Sequence, residues 1–457
     1  MNHMRINKLS PLSRKALNLS TFFCLYIAQA IPMSFFSTAI QVLMRQADYS
    51  LSSIALLQLI KLPWILKFLW APLVDRHCIT LKDYKRCIIT SEIVYALLIL
   101  MVGLLDIQTD LYLIIGLVFL SLIASATQDI ATDTLAVLSF GKSDKSLVNS
   151  MQSMGSFGGT LIGTGILLLV LQHYGWHVVI PCLCIFVLLA IIPLLKNKHM
   201  KIIPKEPSKR AQFTDFIWFF ARRNIWKQIG FLLLYYASII GILSVLRSYL
   251  VDLGYSMKEI GIMIGIGGTG AAFASSFLAG LLVRKIGRYH SRILFAIFIL
   301  LTTLYFMCIS WTVPSFSMLC LGIVLLWSAY GMATIVVYTT SMDCVRKGCE
   351  GTDFTIQTVL THLSGLLIAF LSGVVADRTG YHGLFIFEVI LASISLIYIF
   401  YFFICCILKI YPLWYMPAYK PIIIFIRATL PTAIRVAVKY KSPLFFFQCR
   451  TLHSLII

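Results

Sequence analysis

The sequence predicts an all-α membrane protein with 12 transmembrane helices in two pseudo-symmetric six-helix bundles. First, 59% of the 457 residues are apolar or aromatic and 12% are charged, about half the charged fraction of an average soluble domain. Second, apolar segments long enough to cross a bilayer core recur along most of the chain. Third, the loops between them are alternately basic and poor in cations, which is typical of a multi-pass membrane protein.

Twelve apolar segments are long enough to span a bilayer as helices. We number them spans one to twelve, and their predicted ranges are 18–42, 51–74, 87–105, 111–138, 148–171, 177–195, 228–250, 259–283, 292–311, 315–340, 352–376 and 381–404. Several contain proline, such as Pro32 and Pro63, which membrane helices tolerate because neighbouring groups satisfy the freed backbone.

The loop charges predict the orientation of the spans. The N-terminus and every second loop carry Lys and Arg, as in segments 76–86, 196–223 and 284–292. Basic loops stay on the cytoplasmic side, so we expect a multi-pass protein of the inner membrane with both termini in the cytoplasm. The same rule explains the net charge of +20. The cations do not line one face between aromatics, so we predict no nucleic-acid binding.

The chain is predicted to consist of two similar halves joined by a linker. The expected parts are an N-terminal six-helix bundle, a basic cytoplasmic linker, a C-terminal six-helix bundle and a basic cytoplasmic tail, at 1–195, 196–227, 228–404 and 405–457 respectively. The sequence YGWH at 174–177, after span five, is similar to TGYH at 379–382, after span eleven. A twofold repeat of six spans is typical of carriers with a site between the halves.

Two motifs resemble the AmpG-like branch of the major facilitator superfamily. They are KFLWAPLVDR at 67–76, at the end of span two, and SATQDI at 125–130, in span four. The branch includes muropeptide permeases, acetyl-CoA transporters and RhtX/FptX-type siderophore importers. The resemblance covers residues 18–404. It implies uptake of a small solute into the cytoplasm, driven by the proton gradient, by a monomer without a cofactor.

The sequence departs from the muropeptide permeases in span four. Those permeases continue with Asp-Ala-Trp-Lys, whereas this chain keeps an aspartate, Asp133, and lacks the aromatic residue and the cation. The Gly-rich span five and the segment 351–357 are more similar to the siderophore importers. We therefore expect a siderophore as the solute, with an anhydromuropeptide as the alternative.

Ionisable side chains inside the spans are the main site candidates, because each costs about 2.5–3.5 kcal/mol to insert. Span two carries Lys61 and Lys67, and span four carries Gln128, Asp129 and Asp133. The two aspartates are four residues apart and share a helix face. Lys67 and Asp129 are predicted at similar depth, so they can form a pair that exchanges protons or binds an anionic solute. A static ion pair that only fixes helix packing is the open alternative.

Five further residues are candidates for contact with the solute or with protons. Gln29 in span one, Arg247 in span seven, Tyr330 in span ten, and Gln357 and His362 in span eleven can all reach a central cavity. Three of them also have an ordinary explanation. The arginine can reach the membrane interface, the tyrosine can fill the bundle, and the histidine can be a hydrogen-bonding partner within the protein.

A gate is predicted where spans two and eight end. Asp75 and Arg76 follow span two, and Arg284 and Arg288 hold the equivalent place after span eight. The family resemblance implies that an acid–base cluster at this level holds the two halves together. Retention of basic loops also explains the cations, but it does not explain Asp75, because acids contribute little to topology.

Two other classes fit the sequence less well. A polytopic membrane enzyme would need a Ser/His/Asp set, a metal cluster or a Gly-rich phosphate cradle, and the loops contain none of these patterns. A channel would be expected to show a filter or rings of charge. The 12 cysteines form no C-x-x-C pair with metal spacing. We therefore predict a transporter in contact with lipid, solute and protons, with no metal site and no enzymatic activity.

Overall fold

The computed structural model describes residues 10–46, 60–106, 109–202 and 211–410. Residues 1–399 form one compact unit, and of the second unit, 400–457, the structure describes the helix as far as Ile410. All regular secondary structure in these described residues is helical. The predicted tail, 405–457, lies outside the described residues beyond Ile410.

The helices follow the predicted spans in order. In the first half they are Pro11–Gln46, the broken span two described below, Leu81–Gly103, Leu111–Ser139, Lys145–Tyr174 and Trp176–Lys196. In the second half they are Ile225–Asp252, Lys258–Ile286, Arg288–Ile309, Phe316–Asp343 and Glu350–Ile410. Spans five and eight each contain a π-helical segment, Ile162–Ile166 and Gly261–Gly268 respectively.

Ten helices in the described residues are long and apolar enough to cross a membrane, and two features account for the difference from twelve. Spans eleven and twelve form one segment that is interrupted at Gly380, whose φ of 71° lies in the left-handed region. Glycine lacks a Cβ and adopts this conformation at little steric cost. Residues 51–59 of the predicted span two lie outside the described residues, and the described part of this span consists of short segments.

Pro72 explains the break in span two. A proline lacks an N–H, and its ring clashes with the carbonyl group four residues earlier, here that of Phe68. The chain forms a 3₁₀ turn, Lys67–Leu69, and leaves helical geometry at Trp70, where φ and ψ are −110° and 0°. A helix then resumes at Ala71. The break places the predicted Lys67 in a turn rather than in a regular helix, and such turns often mark functional hinges.

The two halves, spans one to six and spans seven to twelve, meet at one end of the bundle. We call it the basic end, because the loops after the even-numbered spans lie there. The hydroxyl of Ser146 donates to the carbonyl of Gly280, and that of Ser150 donates to the carbonyl of Ser276, both at 2.9 Å. Cross-half hydrogen bonds between described residues all lie toward this end. Spans five and eight therefore form a close seam there.

One helix was not predicted from the sequence. The linker contains the helix Asp215–Ala221, which we call the linker helix. The sequence predicts only a basic cytoplasmic linker in this region, 196–227. Asp215 begins the helix, and its carboxylate accepts the backbone N–H of Gln212 at 2.8 Å. An acid in the first turn also interacts favourably with the helix dipole.

Candidate functional site

Lys67 and Asp129 form a buried ion pair inside the N-terminal half. The distance from Nζ to Oδ2 is 2.5 Å, and the two side chains are 4% and 3% exposed. The ammonium group also lies 4.9 Å from the centre of the Trp64 ring, which adds a cation–π interaction. Both charges are removed from water, so each depends on the other for compensation. The structure places together the two residues that the sequence pairs by depth.

Asp133 lies one turn further along span four and is equally buried. Its Oδ1 accepts hydrogen bonds from the hydroxyl of Tyr26 at 2.7 Å and from the amide of Gln152 at 3.1 Å. Its Oδ2 has no partner among the described residues. Lys67 is close enough to interact electrostatically with Asp133 as well. One cation thus serves two carboxyl groups, and a single added proton would make the set neutral.

Gln29 and Gln128 lie beside these acids. The amide of Gln29 donates to Oε1 of Gln128, and both side chains are buried. The Nε2 of Gln128 has no hydrogen-bond partner among the described residues. Buried polar groups in proteins are nearly always hydrogen-bonded. This donor is therefore suited to an acceptor atom on a solute or a water molecule.

The C-terminal half contributes aromatic rings and a histidine. The ring of Tyr330 lies 5.7 Å from that of Phe157 in span five and 5.9 Å from that of Tyr236 in span seven. His362 is exposed, yet it interacts electrostatically with the buried Lys67 and Asp129. It therefore brings a polar group of the C-terminal half near the ion pair of the N-terminal half. The aromatic rings lie at a contact between the halves, because Phe157 belongs to span five and Tyr330 to span ten.

Three of the predicted site residues lie apart from this cluster. Gln357 is buried, but its amide is used within the C-terminal half, where it accepts from Gln228 at 3.1 Å and donates to the carbonyl of Ser341 at 3.2 Å. Arg247 is exposed on span seven, and Lys61 is partly buried at the start of the described part of span two. Neither forms a hydrogen bond or ion pair with another described residue. The proposed solute contacts of these three residues gain no support from their positions.

Asp75 joins span two to span eleven at the basic end. Its carboxylate accepts the backbone N–H groups of Gly351 at 3.1 Å and Thr352 at 2.6 Å, and the Thr352 hydroxyl at 2.8 Å. The first N–H groups of a helix lack intrahelical partners and attract negative charge. A Cβ on Gly351 would lie 2.9 Å from the carboxylate, so glycine permits the contact. Arg76 is exposed and lies outside it.

Arg284 and Arg288 bind acids that the sequence analysis did not select. The Nε of Arg284 lies 3.2 Å from Asp144 of the other half. Arg288 pairs with Asp343 of its own half and also donates to the carbonyl of Lys142 in the other half. A sequence signal existed, because Asp144 and Asp343 are acids in basic loops. Acids contribute little to topology, so retention of basic loops does not explain these two acids, just as it does not explain Asp75.

Known proteins resemble this chain over most of its length. The family model for the Major Facilitator Superfamily matches residues 20–368. The putative transporter AmpG 4 of Rickettsia conorii is 23% identical over 414 residues, which cover 87% of this chain and 98% of that protein. The anhydromuropeptide permease of Escherichia coli K12 is 22% identical over 382 residues, which cover 81% and 76% respectively.

Solved transporter structures share the fold. A bacterial homologue of the iron transporter ferroportin, in an outward-facing state with soaked iron, has a TM-score of 0.62 at 15% identity, with 86% of this chain and 99% of that chain covered. The transporter FucP in the outward conformation has a TM-score of 0.63 at 14% identity, with 85% and 98% covered. At these identities the likeness concerns the fold alone. The predicted fold class is confirmed, and the chain belongs to the Major Facilitator Superfamily, in its AmpG-like branch, as a multi-pass membrane transporter.

Proposed function

We propose that this transporter imports an anhydromuropeptide across the inner membrane together with a proton. The Escherichia coli relative is named an anhydromuropeptide permease, and the Rickettsia conorii relative is a putative AmpG transporter. These names favour the alternative from the sequence over the siderophore that we first expected. The siderophore stays a prediction, and the experiment below includes it.

The observation that carries the coupling proposal is the set of Lys67, Asp129 and Asp133. Its formal charge is −1 with both acids ionised, and one proton brings it to zero. Protonation of Asp129 removes the counter-charge that lies 2.5 Å from the ammonium of Lys67. The ammonium can then bind a carboxylate of the solute. Proton and anionic solute therefore favour each other's binding, which is the linkage that a symporter requires.

The side chains at and near the ion pair suit a solute that combines a peptide with sugar rings. Peptide carboxylates match Lys67. Peptide or acetamido carbonyl groups match the Nε2 of Gln128, which has no partner among the described residues. The apolar faces of sugar rings match the aromatic rings of Tyr330, Phe157 and Tyr236. His362, which also belongs to the C-terminal half, offers a further polar contact.

The contacts between the halves support uptake from the outside. The seam of spans five and eight and the contacts of Asp75 close the basic end. Basic loops remain in the cytoplasm, so we assign the basic end and both chain termini to that side. We therefore propose a carrier whose site is reached from the external side while the basic end is closed.

Uptake by whole cells tests this function. A strain lacking this protein and the same strain expressing it are compared for accumulation of a labelled anhydromuropeptide and a labelled ferric siderophore. We expect only the muropeptide signal to depend on the protein and to collapse when a protonophore is added. Protein-dependent siderophore uptake without muropeptide uptake would replace the proposed solute. Uptake that is insensitive to the protonophore would remove the proton from the proposal.

A further inference from the structure

The linker helix bridges the two halves at the basic end. The ring of Phe216 stacks on the ring of Phe68 in span two, with centroids 5.4 Å apart and an interplanar angle of 27°. Phe219, on the same helix, is fully buried in an apolar cluster with Ile356 of span eleven. The linker helix therefore contacts span two of one half and span eleven of the other.

Arg346 connects the linker helix to the C-terminal half. Its guanidinium group lies 3.0 Å from Asp215 in the linker helix and 2.7 Å from the fully buried Asp353 in span eleven. Arg222 adds a further contact to Asp353 at 3.1 Å. Burial lowers the pKa of Arg346, but the hydrogen bonds and charges of Asp353 and Asp215 outweigh burial and raise it overall. The linker helix is thus held by ion pairs on one side and by a ring contact on the other.

The ring contact begins next to the transport site. Phe68 and Lys67 are neighbours in the 3₁₀ turn Lys67–Leu69, and successive side chains of a 3₁₀ helix point about 120° apart. The turn directs Lys67 to Asp129 and Phe68 to Phe216. It lies at the break caused by Pro72 and lacks full α-helical hydrogen bonding. A shift of this turn moves both contacts together.

We propose that the linker helix is a latch that holds the basic end closed, and that the 3₁₀ turn connects the latch to the transport site. While Lys67 pairs with Asp129, Phe68 stays on Phe216, and spans two and eleven stay together. When a proton and a solute replace this pairing, the turn shifts, Phe68 leaves Phe216, and the basic end opens. The proposal rests on the carrier cycle proposed above, but not on the identity of the solute.

The distance between the halves at the basic end reports the state of the latch. Spin labels at Lys82 and Lys285, which are exposed and belong to different halves, are measured by pulsed electron resonance in a cysteine-depleted protein without solute. An aromatic pair is worth about 0.5–1.5 kcal/mol. We therefore expect Phe216→Ala to raise the ratio of open to closed molecules about 2- to 13-fold. The matched control is Ile217→Ala, since Ile217 lies on the same helix and is 68% exposed.

Two further variants keep the test decisive. Phe68→Ala removes the same contact from the other side, so the double variant with Phe216→Ala should open no further than either single variant. Asp215→Asn breaks the pair with Arg346 without creating a cavity, and it should also shift the ratio toward the open state. The latch is overturned if folded Phe216→Ala and Asp215→Asn proteins keep the wild-type distances, or if the two ring deletions have additive effects. Because no solute is present, these results do not depend on which solute is transported.

Discussion

Replacing Asp129 by Asn leaves the ammonium of Lys67 buried without its nearest counter-charge. The reverse change, Lys67→Met, leaves Asp129 and Asp133 buried one turn apart without a cation. The double variant Lys67→Met/Asp129→Asn removes both members of the pair. This set separates the two explanations of the pair that the sequence left open, a static contact and a proton-coupling site.

The expected loss of stability in each variant follows from the burial of Lys67 and Asp129, whose side chains are 4% and 3% exposed. Removing one member of a buried pair costs about 3–5 kcal/mol, whereas replacing both is often close to neutral. Asp133 also interacts with Lys67, so this acid offsets part of the loss. Asp129→Asn should lower the free energy of unfolding by about 3 kcal/mol, a factor of roughly 150 in the unfolding equilibrium. The loss for Lys67→Met should lie nearer to the upper value, and the double variant should recover most of the stability.

Two transport assays in proteoliposomes complete the test. Counterflow measures exchange of labelled solute without a gradient, whereas accumulation driven by an imposed pH gradient measures coupling. If the pair couples the proton, the stable double variant loses pH-driven accumulation. Its counterflow persists but needs more solute, because Lys67 no longer binds the solute carboxylate. Tyr26→Phe is a milder companion change, because it removes one hydrogen bond to Asp133 and leaves the ion pair in place.

A static ion pair predicts a different pattern. The double variant would then be both stable and fully coupled, with wild-type accumulation under the pH gradient. That result would refute the reasoning, as would normal coupled uptake by folded Lys67→Ala and Asp129→Asn proteins. A loss of counterflow at every solute concentration would instead assign the pair to solute binding without proton coupling.

Three further changes test the basic end and the tail. Gly280→Val should weaken the seam, because a Cβ there would lie 2.9 Å from a backbone oxygen of span five; uptake at saturating solute should fall at least tenfold. Asp75→Asn should lose about 1.5–3 kcal/mol of charge-assisted hydrogen bonding, and spin-label distances should show an opened basic end. Deletion of 411–457 should leave uptake unchanged. The controls are Gly116→Val, where a Cβ meets nothing within 4 Å, and the exposed Arg76→Gln.

These predictions have clear contrary outcomes. Uptake by Gly280→Val that equals uptake by Gly116→Val would mean that the seam tolerates a side chain. Equal spin-label distances in the Asp75→Asn and Arg76→Gln variants would mean that the contact of Asp75 with span eleven does not hold spans two and eleven together. Lost uptake in a normally inserted, tail-deleted protein would give the tail a function.

The sequence predicted the fold well because the bilayer imposes a simple pattern of apolar segments and basic loops. It also placed Lys67 and Asp129 at matching depth, because helix rise alone sets depth within parallel spans. The break at Pro72 was not predicted, since prolines in membrane helices are often accommodated without a break. Tyr26 and Gln152 were missed, because neutral polar residues are frequent in spans and only their contacts with Asp133 distinguish them.

The linker helix was missed for a different reason. Its sequence, DFIWFFA at 215–221, lies in a basic segment with prolines, and seven residues are too few to show a helical period. Phe216 contacts Phe68, and Asp215 pairs with Arg346. Both contacts join parts of the chain that are distant in sequence and that only the folded bundle brings together. Local sequence patterns do not contain such contacts.

Proton movement during transport tests the central claim most directly. Purified protein is reconstituted into liposomes that contain a pH-sensitive dye, and an anhydromuropeptide is added outside without any imposed gradient. The account predicts that solute addition drives protons inward in the wild-type protein, and that Asp129→Asn abolishes this signal while Arg76→Gln does not. Saturable muropeptide influx without acidification of the lumen, or acidification that persists in Asp129→Asn, would contradict it.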